Sequence, residues 1–273
     1  MKNQTSQPGT GFALRQRHFQ AGPHRLFGQT VGEPAGDERA LVFLHGGVGC
    51  VGMWRDFPEI LCRRAGLPGL AYDRLGFGRS DPLANPQAET EGPGFRNREG
   101  RDSLPQVLDA MGIRSAVLIG HSEGGAIALL AAAAHPARIR GVIGLAPQVV
   151  VHARAVEGTH EIVEAYRSGG LRERLIKYHG EKFDRTFARW ADGWTGPAAA
   201  AWSIESELKE IACPVANITG ADDEHGYAHN MEALKRCIGA PLTTHLVPGA
   251  GHHPQDEARD EVIELIADFL KDL

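Results

Sequence analysis

The sequence predicts an α/β fold in which a mostly parallel central sheet is flanked by helices and interrupted by one helical insertion. Three observations lead there. Short continuous apolar runs recur along the chain, stretches of helical composition alternate with them, and one long segment carries helical pattern with no strand. Runs apolar throughout belong to strands buried on both faces, and their alternation with helices describes a parallel sheet covered on each side.

In chain order, residues Phe12–Thr30 predict an antiparallel opening hairpin. The runs "ALVFLH" (40–45), "GLAYD" (69–73), "SAVLIGH" (115–121) and "RGVIGLAP" (140–147) follow as strands, and "PVANITG" (214–220) and "TTHLVPG" (243–249) close the set. Helices are expected over Glu99–Met111, Glu123–His135, Asn230–Ile238 and Gln255–Leu273. The loop "DPLANPQAETEGPGF" (81–95), rich in Pro and Gly, is expected to be irregular and mobile. The alternation stops after Pro147, so the sixth strand is followed by an insertion. The chain therefore divides into a core of residues 1–147 and 211–273 and a helical cap of residues 148–210. Within the cap, Phe183, Phe187, Trp190 and Trp194 recur at spacings of four, three and four, which is one face of a helix. Such a stripe is ordinarily packing surface. Laid against a sheet edge, the same aromatics together with Trp202 are candidate pocket walls for a partly apolar group.

Composition narrows the function classes. A net charge of −5 and a pI near 6.2 give no electrostatic case for a nucleic-acid partner. The N-terminal stretch has no apolar signal region. The longest purely apolar run, "AIALLAAAA" (126–134), falls short of the ~18 residues of a membrane span. Cys50, Cys62, Cys213 and Cys237 are scattered and form no C-x-x-C pair, as suits reduced cytosolic thiols. A soluble cytoplasmic protein with no membrane partner is expected, its oligomeric state left open.

The chemistry centres on "LIGHSEGGAIALL" (118–130). Ser122 stands where a strand turns into a helix, and Gly120 and Gly124 relieve the crowding of so sharp a corner. The corner also aims the amide of Glu123, at a helix N-terminus, into the space above the serine. A serine nucleophile needs a base, and the base needs an acid to orient it. The strand "PVANITG" ends in "ADDEHG", offering Asp222, Asp223 and Glu224, and "THLVPG" ends in "AGHHPQDE", offering His252 and His253. All lie at carboxyl ends of strands, where open parallel sheets place their sites. The early strand runs into His45, Gly46 and Gly47, a turn that can present a second amide to an oxyanion.

With these motifs together, the chain resembles the α/β-hydrolase superfamily over nearly its whole length, through "FLHGGVGCVGMW", "YDRLGFGRSD", "GHSEGG", "PVANITGADD" and "VPGAGHHP". The resemblance implies a serine hydrolase of esterase type with a helical cap. It implies Ser122 as nucleophile, Asp223 as acid (three residues after Gly220), His252 as base after Gly251, and the amides of Gly47 and Glu123 as oxyanion donors. Asp222 and Glu224 remain the alternative acids. In the family, "YDRLGFGRSD" is a structural turn, so Asp73, Arg74, Arg79 and Asp81 are assigned no catalysis. His121, ending the strand, is read as a structural histidine. His225 and His229 lack the further ligands of a metal site, and neither a metal nor a cofactor is expected.

The substrate expected is a small to mid-sized carboxylic ester. Family members that cleave a carbon–carbon bond of a vinylogous diketone usually carry Gly-Pro-Gly after the first His-Gly, whereas this chain reads "HGGVGC". Carbon–carbon, amide, thioester and lactone hydrolysis are the alternatives, with a non-catalytic ligand receptor of the same fold behind them. Ser122 argues against dehalogenase and epoxide hydrolase members, whose nucleophile is an aspartate. Glu123 is expected either to point away as a first-turn acid favoured by the helix dipole or to face the pocket and select against anionic acyl groups.

Overall fold

In the computed structural model, which describes residues 12–84 and 94–273, the chain opens with an antiparallel hairpin of β1 (Leu14–Ala21) and β2 (His24–Val31). It continues through β3 (Gly36–Leu44), α1 (Phe57–Ala65) and β4 (Gly69–Asp73). A helical passage follows: α2 (Phe95–Arg98), a π-turn at Glu99–Ser103, and α3 (Leu104–Ala110). Next come β5 (Ile113–His121), α4 (Glu123–Ala134) and β6 (Ile139–Leu145). Four helices stand between β6 and the next strand: α5 (Ala153–Arg167), α6 (Gly170–His179), α7 (Phe183–Thr195) and α8 (Glu205–Leu208). The chain ends with β7 (Val215–Gly220), α9 (Ala228–Cys237), β8 (Leu242–Val247), α10 (Pro254–Glu257) and α11 (Arg259–Lys271).

The strands form one eight-stranded sheet in the order β1-β2-β4-β3-β5-β6-β7-β8. Pairing is antiparallel for β1 with β2 and β2 with β4, and parallel from β4 through to β8. Alternate residues feed the two faces, as the twofold period of a strand requires. Val42, Leu44 and Leu118 join the core beneath α3 and α4, whereas Leu41, Phe43, Val117 and Ile119 join the one beneath α1 and α11. Because both faces are covered, the central strands read as unbroken apolar runs.

Two expected helices prove to be broken. The stretch from Glu99 to Met111 passes from a π-turn into α3, with Pro105 in the first turn, where a missing amide proton costs nothing. The C-terminal stretch breaks at Ala258 (φ −130°, ψ 44°). Just before the break, the Glu257 carboxylate turns back to accept the amides of Gly251 (2.7 Å) and His253 (3.0 Å). In the insertion, an isolated antiparallel bridge joins Val150 to Ser203, where the segment leaves and rejoins the sheet. Residues 85–93 of the expected irregular loop and residues 1–11 lie outside the described residues. Among the described residues no helix is long and apolar enough to cross a membrane.

Candidate active site

The end of β5 carries the first element. Ser122 has φ 53° and ψ −117°, a strained conformation for a residue with a side chain, forced by the turn from strand to helix. Its amide is tied to the carbonyl of Leu145 on β6 (2.9 Å). Gly124 makes the turn possible. A Cβ there would sit 2.2 Å from the carbonyl oxygen of Leu44 and 2.6 Å from that of His45, backbone atoms that cannot move aside.

Two further strand ends complete a hydrogen-bonded chain. Ser122 Oγ lies 2.9 Å from Nε2 of His252, which follows β8. Nδ1 of His252 stands 3.0 Å from both carboxylate oxygens of Asp223, after β7. Asp223 accepts at Nδ1, so that nitrogen carries the proton and Nε2 is left to accept from the serine hydroxyl. Burial disfavours the Asp223 charge, but the bonds from His252 and from the amide of His225 (2.9 Å) hold its carboxyl below the ordinary aspartate value. The two other acids stand elsewhere. Asp222 is exposed, and Glu224 accepts the backbone amide of His252 (3.1 Å).

The turn after β3 faces the serine. His45 is buried, accepts the amide of Arg74 at Nε2 (3.1 Å) and hydrogen-bonds the carbonyl of Gly46 through Nδ1 (2.9 Å). These bonds fix the loop carrying Gly47. The amide of Glu123, in the first turn of α4, has no acceptor within the helix. A cavity of about 320 Å³ opens over Ser122, Gly47 and His252, walled by Met53, Trp190 and Trp194 among others.

Phe183, Phe187 and Trp202 do not line that cavity. Phe183 stacks on His179 (3.9 Å between ring centres), Phe187 stacks on Tyr166 (3.7 Å), and Trp202 meets Trp194 edge-on. The helical stripe thus divides: two residues hold the insertion together and two reach the cavity. Glu123 is also misplaced as a pocket residue. Its carboxylate is 1% exposed and bonds Arg74 (3.0 Å), Arg96 (2.9 Å) and the indole of Trp194 (3.2 Å). Burial opposes its ionisation, yet Arg96 and Arg74 hold its pKa below the ordinary glutamate value.

The ion network around Glu123 went unseen in the sequence. Arg74 also bonds Glu99 (2.8 Å), and Arg189 on α7 approaches Glu99 at 3.5 Å. Three arginines and two glutamates thereby tie the insertion to the helix that follows the serine. The available signal was an arginine placed beside the aromatic stripe of α7, a position that has to be buried with its partners.

The other expectations fall as follows. Asp73 holds its loop by accepting the amides of Val51 (2.6 Å) and Arg79 (2.7 Å). His121 bonds the carbonyl of His252 (2.9 Å), and burial lowers its pKa well below the ordinary value. His225 packs edge-on against His252 (4.4 Å between ring centres), and burial brings its pKa to about 4. Cys50 is a buried wall residue whose thiol burial pushes up to about 12. Among the described residues no group of His, Cys, Asp and Glu gathers as a metal site would.

The family model described as the alpha/beta hydrolase fold matches residues 39–169. The chain has the α/β-hydrolase fold. Over 263 residues the chain is 25% identical to the 2-hydroxy-6-oxononadienedioate/2-hydroxy-6-oxononatrienedioate hydrolase of Comamonas testosteroni, covering 86% of this chain and 89% of the relative. It is 26% identical to the 2-hydroxy-6-oxo-6-phenylhexa-2,4-dienoate hydrolase of Burkholderia cepacia, with the same two coverages. The solved structure of a Rhodococcus hydrolase of that second name superposes with a TM-score of 0.73 at 17% identity, covering 95% of this chain and 99% of the other. That likeness speaks for the fold. Both relatives are named for substrates of the vinylogous diketone type, so the comparisons support the carbon–carbon alternative better than the ester first expected.

Proposed function

We propose that this α/β hydrolase attacks a carbonyl carbon with Ser122 and cleaves the adjacent carbon–carbon bond of a vinylogous diketone, releasing a carboxylic acid. The observation that carries the serine chemistry is the chain Asp223–His252–Ser122, with links of 3.0 and 2.9 Å, ending on a strained elbow. The relatives' names direct the choice of bond.

In this reading His252, oriented by Asp223, takes the hydroxyl proton as Oγ bonds to the carbonyl carbon. The carbonyl electron pair moves onto its oxygen, which receives hydrogen bonds from the amides of Gly47 and Glu123. One such donor is worth about 3 kcal/mol, roughly a hundredfold in rate. Collapse of the intermediate breaks the carbon–carbon bond. The departing carbon is tolerable as a leaving group because its charge spreads through the conjugated system to the distant carbonyl, and His252 returns the proton to it. Water, deprotonated by His252, then releases the acid from Ser122. Helices α5–α8 serve as the cap that closes over the cavity.

Hydrolysis of a neutral carboxylic ester by the same residues is the second reading, favoured by the charges around the cavity. The arginines nearest its floor are engaged with Glu99 and Glu123, and the arginine on its wall, Arg55, is largely exposed and stands 3.9 Å from Asp256. Among the described residues, a carboxylate-bearing diketone therefore meets no dedicated counter-ion inside.

A substrate panel separates the readings. It comprises a vinylogous diketone with a carboxylate, one without, and p-nitrophenyl esters of rising chain length, each assayed on wild type and Ser122→Ala. Turnover of a diketone well above the esters, lost in the variant, is expected. Serine-dependent turnover of esters alone would transfer the assignment to the second reading, and activity surviving in Ser122→Ala would end both.

A further inference from the structure

Trp190 reaches the oxyanion turn from the helical insertion. The edge of its indole bearing the N–H is pressed over Gly47. A Cβ on Gly47 would lie 1.9 Å from Nε1 and 2.4 Å from Cδ1, so only glycine admits the ring at this distance. Trp190 lines the cavity that holds Ser122, and its residual exposure is 7%. Among the described residues its indole nitrogen makes no hydrogen bond, while the neighbouring indole of Trp194 is engaged with Glu123. An indole N–H is a donor only, and when largely buried it normally finds an acceptor. Here the ring borders both Gly47 and the cavity over Ser122.

We propose that Trp190 Nε1–H is a third oxyanion donor, supplied by the insertion, which joins the amides of Gly47 and Glu123 on the carbonyl oxygen under attack. The inference rests on the serine mechanism proposed above. It adds that part of the transition-state stabilisation comes from outside the core of the fold. No bond forms or breaks at Trp190. Its N–H shares its proton with an oxygen that is neutral in the substrate and anionic after attack, so the bond strengthens as the charge develops and acts on the rate more than on binding.

The placement is prepared rather than incidental. On α7, Arg189 approaches Glu99 and Trp194 bonds Glu123, one residue before and four residues after Trp190. Glu123 therefore has two connections to the same oxygen. Its amide is a direct donor, and its buried carboxylate holds the helix from which the indole donor projects. Trp194 is a positioning residue in this scheme.

The test uses a fluorophosphonate that phosphonylates Ser122, because its phosphoryl oxygen occupies the oxyanion position without requiring knowledge of the natural substrate. Wild type and Trp190→Phe, which keeps an aromatic ring and loses the donor, are compared for the saturating rate of phosphonylation and for the concentration giving half that rate. The rate constant is expected to fall about tenfold to a hundredfold, with half-saturation within about twofold of wild type. A second arm needs no variant to fold for its readout. In wild type labelled with ¹⁵N at its indoles, the Trp190 N–H proton resonance is expected to move downfield on phosphonylation. An adduct on Ser122 with the Trp190 resonance unmoved, or a Trp190→Phe rate constant equal to wild type, would overturn this inference alone. Failure of wild type to form any adduct at Ser122 would overturn the serine mechanism and the inference with it.

Discussion

At the scale of single residues, the site is set by backbone geometry before any chemistry begins. Ser122 is held at φ 53° because Gly124 lets the turn lie against the carbonyls of Leu44 and His45. Gly124→Ala is expected to cost about 1–3 kcal/mol, the range for overpacking, because the clash is with backbone. The check is a fall in thermal midpoint together with slower labelling of Ser122. Asp223→Asn preserves shape but removes the charge that stabilises the imidazolium and fixes its tautomer. A drop in kcat of about ten-thousandfold at neutral pH is expected, with KM little changed. A loss below about tenfold, read by steady-state kinetics, would mean that Asp223 is not the acid. The elbow and the Ser–Asp–His order were legible in the sequence because a sharp turn is encoded by adjacent residues. The three side chains also follow strands whose apolar runs are plain. The direction of the Glu123 side chain was not legible. Its partners Arg74 and Arg96 come from distant segments, and nothing next to Glu123 announces them.

At the scale of elements, the insertion is fastened by buried polar groups as well as by aromatic packing. Glu123 neutralises Arg74 and Arg96, so Glu123→Ala leaves two buried cations short of a partner. It is expected to destabilise the protein by about 3–5 kcal/mol, measured by denaturant unfolding. His179, ending α6, accepts the amide of Gly78 (2.8 Å), and burial brings its pKa to about 4. His225, after β7, is held at about 4 by the same cause. Between about 6.5 and about 4 the unfolded chain takes up protons that these folded histidines refuse, so stability falls as pH falls through that window. Each histidine contributes up to about 1.4 kcal/mol per pH unit. Asp223 extends the loss to lower pH, since a depressed carboxylate contributes stability above its unfolded value and surrenders it as pH falls through its folded value. Melting curves between pH 7 and pH 4 should show the decline, and His179→Gln should make it shallower. A flat profile over that range would contradict the assignment of neutral buried histidines. The helical stripe of α7 was legible from its spacing, but its division into packing and cavity residues was not. That division depends on α6 and α5 supplying His179 and Tyr166 to Phe183 and Phe187.

At the scale of the whole molecule, four strand ends and one inserted helix converge on a single point above the sheet. The strands bring Gly47, Ser122, Asp223 and His252, and α7 brings Trp190. The core order of strands was legible because parallel strands covered on both faces have to be apolar throughout. The break at Ala258 was hidden, as were the contacts through which Glu257 caps the loop of His252, because periodicity encodes neither. The turn "HGGVGC" counted only against the carbon–carbon class, and the relatives matched over most of the chain favour that class over the ester first expected. A triad activates its serine in the same way whichever bond then breaks, so the leaving group is decided by the shape and charge of the cavity. The central claim is that Ser122 carries the reaction, and mass-spectrometric mapping of the fluorophosphonate adduct tests it most directly. One adduct per chain on the peptide containing Ser122, abolished in Ser122→Ala and slowed in His252→Ala, is the predicted result. An adduct elsewhere, or none while the enzyme turns over substrate, would contradict it.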